Sequence, residues 1–449
     1  MATPVPGTPS LLRAINDRSA LEMLLAHGPL TRPELGGLTG LSKPTASQLL
    51  SRLEQAGLVV QDGTREGATG RSAEVYRINP AAAHVAGLDV SPARIRAAVA
   101  DLTGTVVGEH ELRTPGRSKV DVVARTREAA EGAARAAGVA FTDLHRVVIG
   151  IQGAVDPSTG RLAYAAHLPG WHVPDLTGRL RTGLGLPVSI ENDVNLAALA
   201  ELDRGQATEV RDFVLLWVSD GIGLAVVLGR TLHRGAHGGA GEVAYMPLAG
   251  APLAPGGRWA HTGGMQQAAG NTAILKLMRE HGFRGTGAVR AVGRAAAALA
   301  AAPPGAAGRT PSAAGRTRAD GGRTAAGRRP VDGSRAADGP GPVASRTQGR
   351  AAEEAGRATA ALTELAGRLG TALANVVAVV DPELIVLSGD VLLAGGEALR
   401  SLIERRLHTM TVPRPRLRLS SVDGNPVLAG ALHLALAQTR DEVFSSTVT

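Results

Sequence analysis

The sequence predicts an α/β protein that opens on a winged helix-turn-helix, and three observations carry that expectation. Three short helical signals and a pair of strands fill residues 1–80, strand and helix patterns alternate over residues 81–299, and a long helix followed by a strand occupies the region after 351. With 449 residues and 44% hydrophobic content, the chain can bury two or three cores. Residues 300–350 differ: they are rich in Ala, Gly, Arg and Pro and carry near-repeats such as Ala314-Gly315-Arg316 and Ala326-Gly327-Arg328. A stretch with so few large apolar side chains cannot fill a core and reads as a disordered insertion. The expected division is therefore 1–80, then 81–299 with 351–449, interrupted by 300–350.

The first eighty residues can be justified one element at a time. Leu11, Leu12, Ile15, Leu21, Leu24 and Leu25 recur at near-helical spacing, and Gly28-Pro29 ends that helix. Thr31-Arg32-Pro33-Glu34 has the form of a capping box that starts a second, short helix. After Gly40, Ser42 caps a third helix over residues 43–56, with Pro44 in the first turn where its missing N–H costs little. Leu58-Val59-Val60, a glycine-punctuated loop and Val75-Tyr76-Arg77-Ile78 supply strand, wing and strand. The third helix would expose Ser42, Lys43, Thr45, Ser47, Gln48 and Arg52, with Leu49, Leu50 and Leu53 facing inward. Short polar donors suit base edges in the major groove, Lys43 and Arg52 suit phosphates, and Arg65 and Arg71 on the wing suit the adjacent minor groove or backbone. A winged helix used for protein contacts alone is the bland alternative. Against it, Leu41-Ser42-Lys43-Pro44-Thr45-Ala46-Ser47 resembles the recognition-helix start of bacterial regulators.

Charge is a poor guide to that partner. The net charge is +8, but residues 1–80 hold 8 basic and 7 acidic side chains, whereas residues 301–350 hold 9 arginines and 3 aspartates, a net of +6. The insertion supplies most of the surplus and would add at most a salt-sensitive, non-specific attraction to DNA. Only 3 of 48 basic residues are lysine. The N-terminal residues have neither a basic leader nor an apolar core, and the longest apolar run, 213–229, is broken by Ser219-Asp220-Gly221. A cytoplasmic protein with no membrane partner is expected. The absence of cysteine excludes disulfides, thiolate catalysis and cysteine-based metal sites.

Behind the winged helix, strands are expected at 85–90, 94–101, 105–112 and 146–151, with a helix at 121–137. A helix over 358–380 carries Leu362, Leu365, Leu369, Leu373 and Val376 on one stripe, and Leu384-Ile385-Val386-Leu387 is the strand after it. Among these elements lie Gly153-Ala154-Val155-Asp156-Pro157, Leu168-Pro169-Gly170-Trp171, Glu191-Asn192-Asp193-Val194-Asn195 and Gly238-Gly239-Ala240-Gly241-Glu242. In this order, behind a winged helix, the blocks resemble the ROK family of bacterial transcriptional repressors and sugar kinases. The resemblance implies a two-lobed actin/hexokinase-like (ribonuclease H-like) ATPase fold with a sugar held between the lobes.

The resemblance also locates departures. Family kinases carry glycine-rich loops at three places that meet ATP. Here the first reads Asp89-Val90-Ser91-Pro92-Ala93, the second Ser219-Asp220-Gly221-Ile222-Gly223, and the third Ser388-Gly389-Asp390. Pro92 has no N–H to offer a phosphate, and Asp220 and Asp390 bring like charge. Gly221, Gly223 and Gly389 thus belong to degraded nucleotide loops, and ATP is not an expected cofactor. Loop drift without loss of function, or a cation bridging Asp89 and Asp220, is the rival reading. On the sugar side the resemblance assigns Asn192, Asp193 and Glu242 to sugar hydroxyls, with Asp193 the catalytic base if the protein is a kinase. Three partners differ from the family: His167 replaces an asparagine, Tyr245 a histidine and Gln266 a glutamate. The family's zinc ligands are that histidine and three cysteines, so no metal is expected. His261 is read as a loop residue, as are His233 and His237, and Trp259 is the candidate for holding the loop in place of zinc or for stacking on a sugar face. Trp171 is read either as a sugar-stacking ring or as a core anchor.

The function expected is a DNA-binding regulator, by family default a repressor, that binds an operator as a homodimer or homotetramer and responds to a sugar or sugar-phosphate effector. An active sugar kinase with a fused DNA-binding domain, and a DNA-binding protein with a relic cleft, are the alternatives.

Overall fold

A computed structural model describes residues 9–66, 72–114, 121–156, 159–163, 168, 170–248, 263–301 and 342–445. The N-terminal domain comprises α1 (Pro9–His27), β1 (Leu30–Thr31), α2 (Arg32–Thr39), α3 (Lys43–Gln55), β2 (Val59–Glu66) and β3 (Ser72–Ile78). Its antiparallel sheet runs β1-β3-β2. The capping box forms: the Thr31 N–H donates to Glu34 Oε2 at 2.7 Å and the Glu34 N–H donates back to Thr31 Oγ1. Ser42 caps α3 by accepting the Thr45 N–H. Leu21, Leu24, Leu35, Leu49, Leu50, Leu53 and Tyr76 form the core, joined from outside the domain by Leu102 and Phe444.

The first lobe contains β4 (His84–Val90), β5 (Arg94–Asp101), β6 (Val106–Arg113), α4 (Val122–Ala136), β7 (Leu144–Ile151), β8 (Ala154–Val155), β9 (Leu162–Ala163), α5 (Leu176–Leu184), β10 (Val188–Asn192) and α6 (Asp193–Arg204). The second contains β11 (Phe213–Val218), β12 (Ile222–Leu228), β13 (Thr231–Leu232), α7 (Gly264–Ala269), α8 (Asn271–Glu280), α9 (Ala288–Ala300), α10 (Pro342–Val380), β14 (Leu384–Ser388), α11 (Asp390–His408), β15 (Arg416–Leu419) and α12 (Pro426–Ser445). The two five-stranded sheets, β10-β7-β4-β5-β6 and β13-β12-β11-β14-β15, share one topology. In each, three strands form an antiparallel meander and two more join in parallel beside the first. This is the two-lobed actin/hexokinase-like fold.

Both sheets are covered on two faces, which explains their nearly continuous apolar strands. Along β11, Val214, Leu216 and Val218 pack into the helices of the second lobe, while Phe213 and Leu215 face α6 and α12. The helices α6 and α12 lie side by side between the sheets, α6 against β11 and β12, α12 against β4 and β7. Glycines allow the approach: a Cβ at Gly430 would stand 1.8 Å from the Leu196 carbonyl oxygen.

One expectation needs correction. The apolar stripe of α10 is buried as predicted, but the helix begins at Pro342, so the last residues of the presumed disordered insertion are helical. Residues 302–341 lie outside the described residues. The 32 residues Gly349–Val380 are long and apolar enough to cross a membrane, yet Leu362, Leu365, Leu369 and Leu373 fill the second lobe's core.

Candidate effector cleft and DNA-binding face

The helix α3 exposes Lys43, Thr45 and Gln48 and half-buries Ser47, while Leu49, Leu50 and Leu53 are buried. Ser42 Oγ lies 2.8 Å from Thr45 Oγ1. Two of the predicted DNA-contacting arginines also make contacts within the domain. Arg52 donates at 2.6 Å to Asp17, whose side chain is only 2% exposed, so the guanidinium neutralises a buried carboxylate. Arg65 on the wing pairs with Glu34 and donates to the Pro29 carbonyl while its side chain stays half exposed. Arg71, His167, Trp259 and His261 lie outside the described residues.

The cleft is built at the C-terminal ends of parallel strands, where side chains from neighbouring strands converge. Strand register puts Asp89, Gly150 and Glu191 in one row, with Val90, Ile151 and Asn192 in the next. Asp193 follows as the first residue of α6. From the other lobe comes Glu242, placed by Gly241, whose carbonyl accepts the Leu224 N–H at 3.0 Å. A Cβ there would meet the Leu224 carbonyl oxygen at 1.8 Å, and φ is +92°, so only glycine lays this loop on β12. Tyr245 sits in the 3₁₀ turn just after Glu242, and α7, which carries Gln266, docks on that turn through the Met265 N–H and the Met246 carbonyl.

Electrostatically the floor is strained towards neutrality. Burial, aided by the charges of Asp89 and Glu242, pushes Asp193 up to about 7, and burial alone pushes Glu242 up to about 7. Burial raises Asp89 as well, partly offset by a 2.6 Å hydrogen bond from Asn425 Nδ2 and by Arg96. Carboxyls held near neutrality can both donate to and accept from hydroxyls at physiological pH. Asn192 also has a structural role: its Oδ1 accepts the N–H groups of Val194 and Asn195, and its Nδ2 donates to the Gly153 carbonyl. The side chain mainly caps α6, and one amide hydrogen is left for a ligand. Trp171 is 4% exposed within the first lobe's core, which settles it as an anchor.

The nucleotide side departs from the glycine-rich phosphate loops at several points. Ser91-Pro92-Ala93 forms a tight hairpin closed by Ser91 and Arg94. Asp390 begins α11 and accepts from Ser219 Oγ, placing its own carboxylate at a helix N-terminus that favours an anion. Asp220 accepts from Asn271 Nδ2. Gly223 and Gly389 have packing reasons to be glycine, since a Cβ would meet Val194 Cγ2 at 2.7 Å and the Val218 carbonyl oxygen at 2.5 Å, while Gly221 faces open space. For zinc, the donor set itself is missing: the chain has no cysteine, and Tyr245 stands at the histidine position.

Two cleft residues escape sequence reasoning. Glu191 accepts the Asn192 N–H and Asn195 Nδ2, and also a 2.6 Å ion pair from Arg234 across the lobes. Asn425 had a readable signal, Asn-Pro at a helix start, although nothing in the sequence ties it to Asp89.

A duplicated two-lobed fold with an acidic cleft follows a winged helix, and both parts have counterparts among known proteins. Residues 85–301 match the ROK family and residues 15–72 the MarR family. A ROK-type region thus follows a winged helix of MarR type. It is 28% identical over 243 residues to a putative xylose repressor of Caldicellulosiruptor sp., a match covering 54% of this chain and 61% of that protein, so the chain spans about three fifths of its length. It is also 29% identical over 164 residues to a glucokinase of Streptomyces coelicolor, covering 36% and 49%. Among solved structures, a ROK family transcriptional regulator described as a homologue of the E. coli MLC protein aligns over 97% of this chain and 99% of its own, with a TM-score of 0.65 at 19% identity. A ROK hexokinase from Thermus thermophilus aligns over 80% and 99%, with a TM-score of 0.57 at 25% identity.

Proposed function

We propose that the protein is a sugar-responsive transcriptional repressor. Its winged helix binds an operator in double-stranded DNA, and its cleft binds a sugar or sugar phosphate through Asp193 and Glu242. It works in the cytoplasm as a homodimer or homotetramer, so that paired α3 helices meet a two-fold operator. The observation that carries the reading is the division of labour in the cleft: sugar-facing carboxyls are retained, whereas the nucleotide side is closed by Pro92, Asp220 and Asp390. The similarity to proteins named xylose repressors supports the same assignment. Effector binding must favour one lobe arrangement, because equal affinity for both shifts nothing. The test is fluorescence anisotropy on DNA from upstream of the protein's own gene, titrated with D-xylose, D-glucose and their phosphates. Specific binding relieved by one of these is expected; binding unaffected by every one of them, or no binding at all, overturns the proposal.

A second reading has one observation in its favour. A carboxyl pushed up to about 7 at Asp193 is well poised as a general base for a sugar hydroxyl. ATP-dependent phosphorylation of D-glucose or D-xylose that disappears on Asp193→Asn would establish a kinase.

A further inference from the structure

The helix α12 touches both functional ends of the molecule. At its start Asn425 makes two kinds of contact with one side chain. Its Oδ1 accepts the Val427 and Leu428 N–H groups at 3.0 and 3.1 Å, capping the helix, and its Nδ2 donates to Asp89 in the cleft at 2.6 Å. Twenty residues, or about 30 Å, separate the helix ends. At the far end Phe444 is buried in the core of the winged helix with Leu21, Leu24 and Leu50, and Asp441 pairs with Arg18 on α1. Arg440 donates to the carbonyl of Leu102, which belongs to the same core.

Between its ends the helix is closely packed along its length. A Cβ at Gly87 would lie 3.0–3.1 Å from Ala431 and Leu432, one at Gly150 would lie 2.6 Å from Val427, and Gly430 meets the backbone of α6. Contacts this close transmit displacement rather than absorb it.

We infer that Asn425 is a positioning residue that couples the cleft carboxylate Asp89 to the DNA-binding domain through α12. The cap and the cleft contact share one amide, so a ligand that moves Asp89 must shift or unload the helix start. The displaced helix then acts on α1 through Asp441 and Phe444. Coupling of this kind is reciprocal, so DNA bound to the winged helix alters the cleft to the same extent. The inference extends the proposed regulatory reading, but its test needs neither sugar nor operator.

That test is hydrogen–deuterium exchange on the full chain, read at amides of α3 and β3. Asp89→Ala in the wild-type background is expected to speed their exchange about threefold or more, by loosening α12 at its far end. Asn425→Ser keeps a capping hydroxyl and loses the reach to Asp89. In that background, adding Asp89→Ala is expected to change the same amides by less than about 1.5-fold. Asp441→Ala, which cuts an exposed ion pair and leaves the cap intact, is expected to blunt the Asp89→Ala effect in the same way. Unchanged exchange in Asp89→Ala, or an effect that persists in either background, overturns the inference. A sugar that fails to alter operator binding would overturn the effector reading and leave this result standing.

Discussion

Asp193 is held in a state that its own chemistry resists. In the unfolded chain its carboxyl loses its proton near 3.8, and in the cleft only near about 7. Between those values the folded protein keeps a proton that the unfolded chain has released. The stability linked to this group is therefore complete below about pH 4 and is lost progressively as pH rises to about 7. Asp193→Asn removes the charge and its repulsion with Asp89 and Glu242. Calorimetry should show Tm raised by about 5 °C at pH 8 and hardly moved at pH 4. Arg52 behaves in the opposite sense, because its loss strands the buried Asp17 carboxylate. Arg52→Ala should cost about 2 kcal/mol in denaturant unfolding of the winged helix. Neither consequence was visible in the residue types. Asp193 stood out as a candidate through its motif, but its environment depends on Asp89 and Glu242, which are 104 and 49 positions away. Arg52 lies on the outer side of α3 and is captured by Asp17 of another helix, which helical spacing does not reveal.

At the scale of elements, whatever depends on neighbours along the chain was legible. The capping box at Thr31, the Ser42 cap, the inward leucines of α3 and the stripe of α10 all formed as the pattern implied. Features that depend on a distant backbone were not, including the glycines that seat α12 and the ion pair between Arg234 and Glu191. The recognition helix gives a direct test, since Lys43 is exposed on α3 and forms none of the described ion pairs. Lys43→Ala should weaken operator binding uniformly across sequences and reduce the salt dependence by about one unit of slope, with Tm unchanged. Gly430→Ala makes a separate claim about packing. The added methyl collides with the Leu196 carbonyl and should cost about 3 kcal/mol or more by forcing α12 away from α6.

At the scale of the molecule, the basic surplus and the winged helix occupy different parts of the chain. Residues 302–341 contain 7 arginines and 3 aspartates. Deleting them should leave operator preference unchanged and lower non-specific affinity at low salt, measurable by competition with unrelated duplex DNA. The duplicated sheets exchange their closing helices, with α6 and α12 sharing the space between the lobes. That arrangement sets an order of events during synthesis. The winged helix emerges from the ribosome first, but Phe444, which completes its core, is more than three hundred and fifty residues behind it. The same last segment brings Asn425 to Asp89. A nascent chain therefore cannot finish either its winged helix or its cleft until residues 425–444 are made, and one helix serves both.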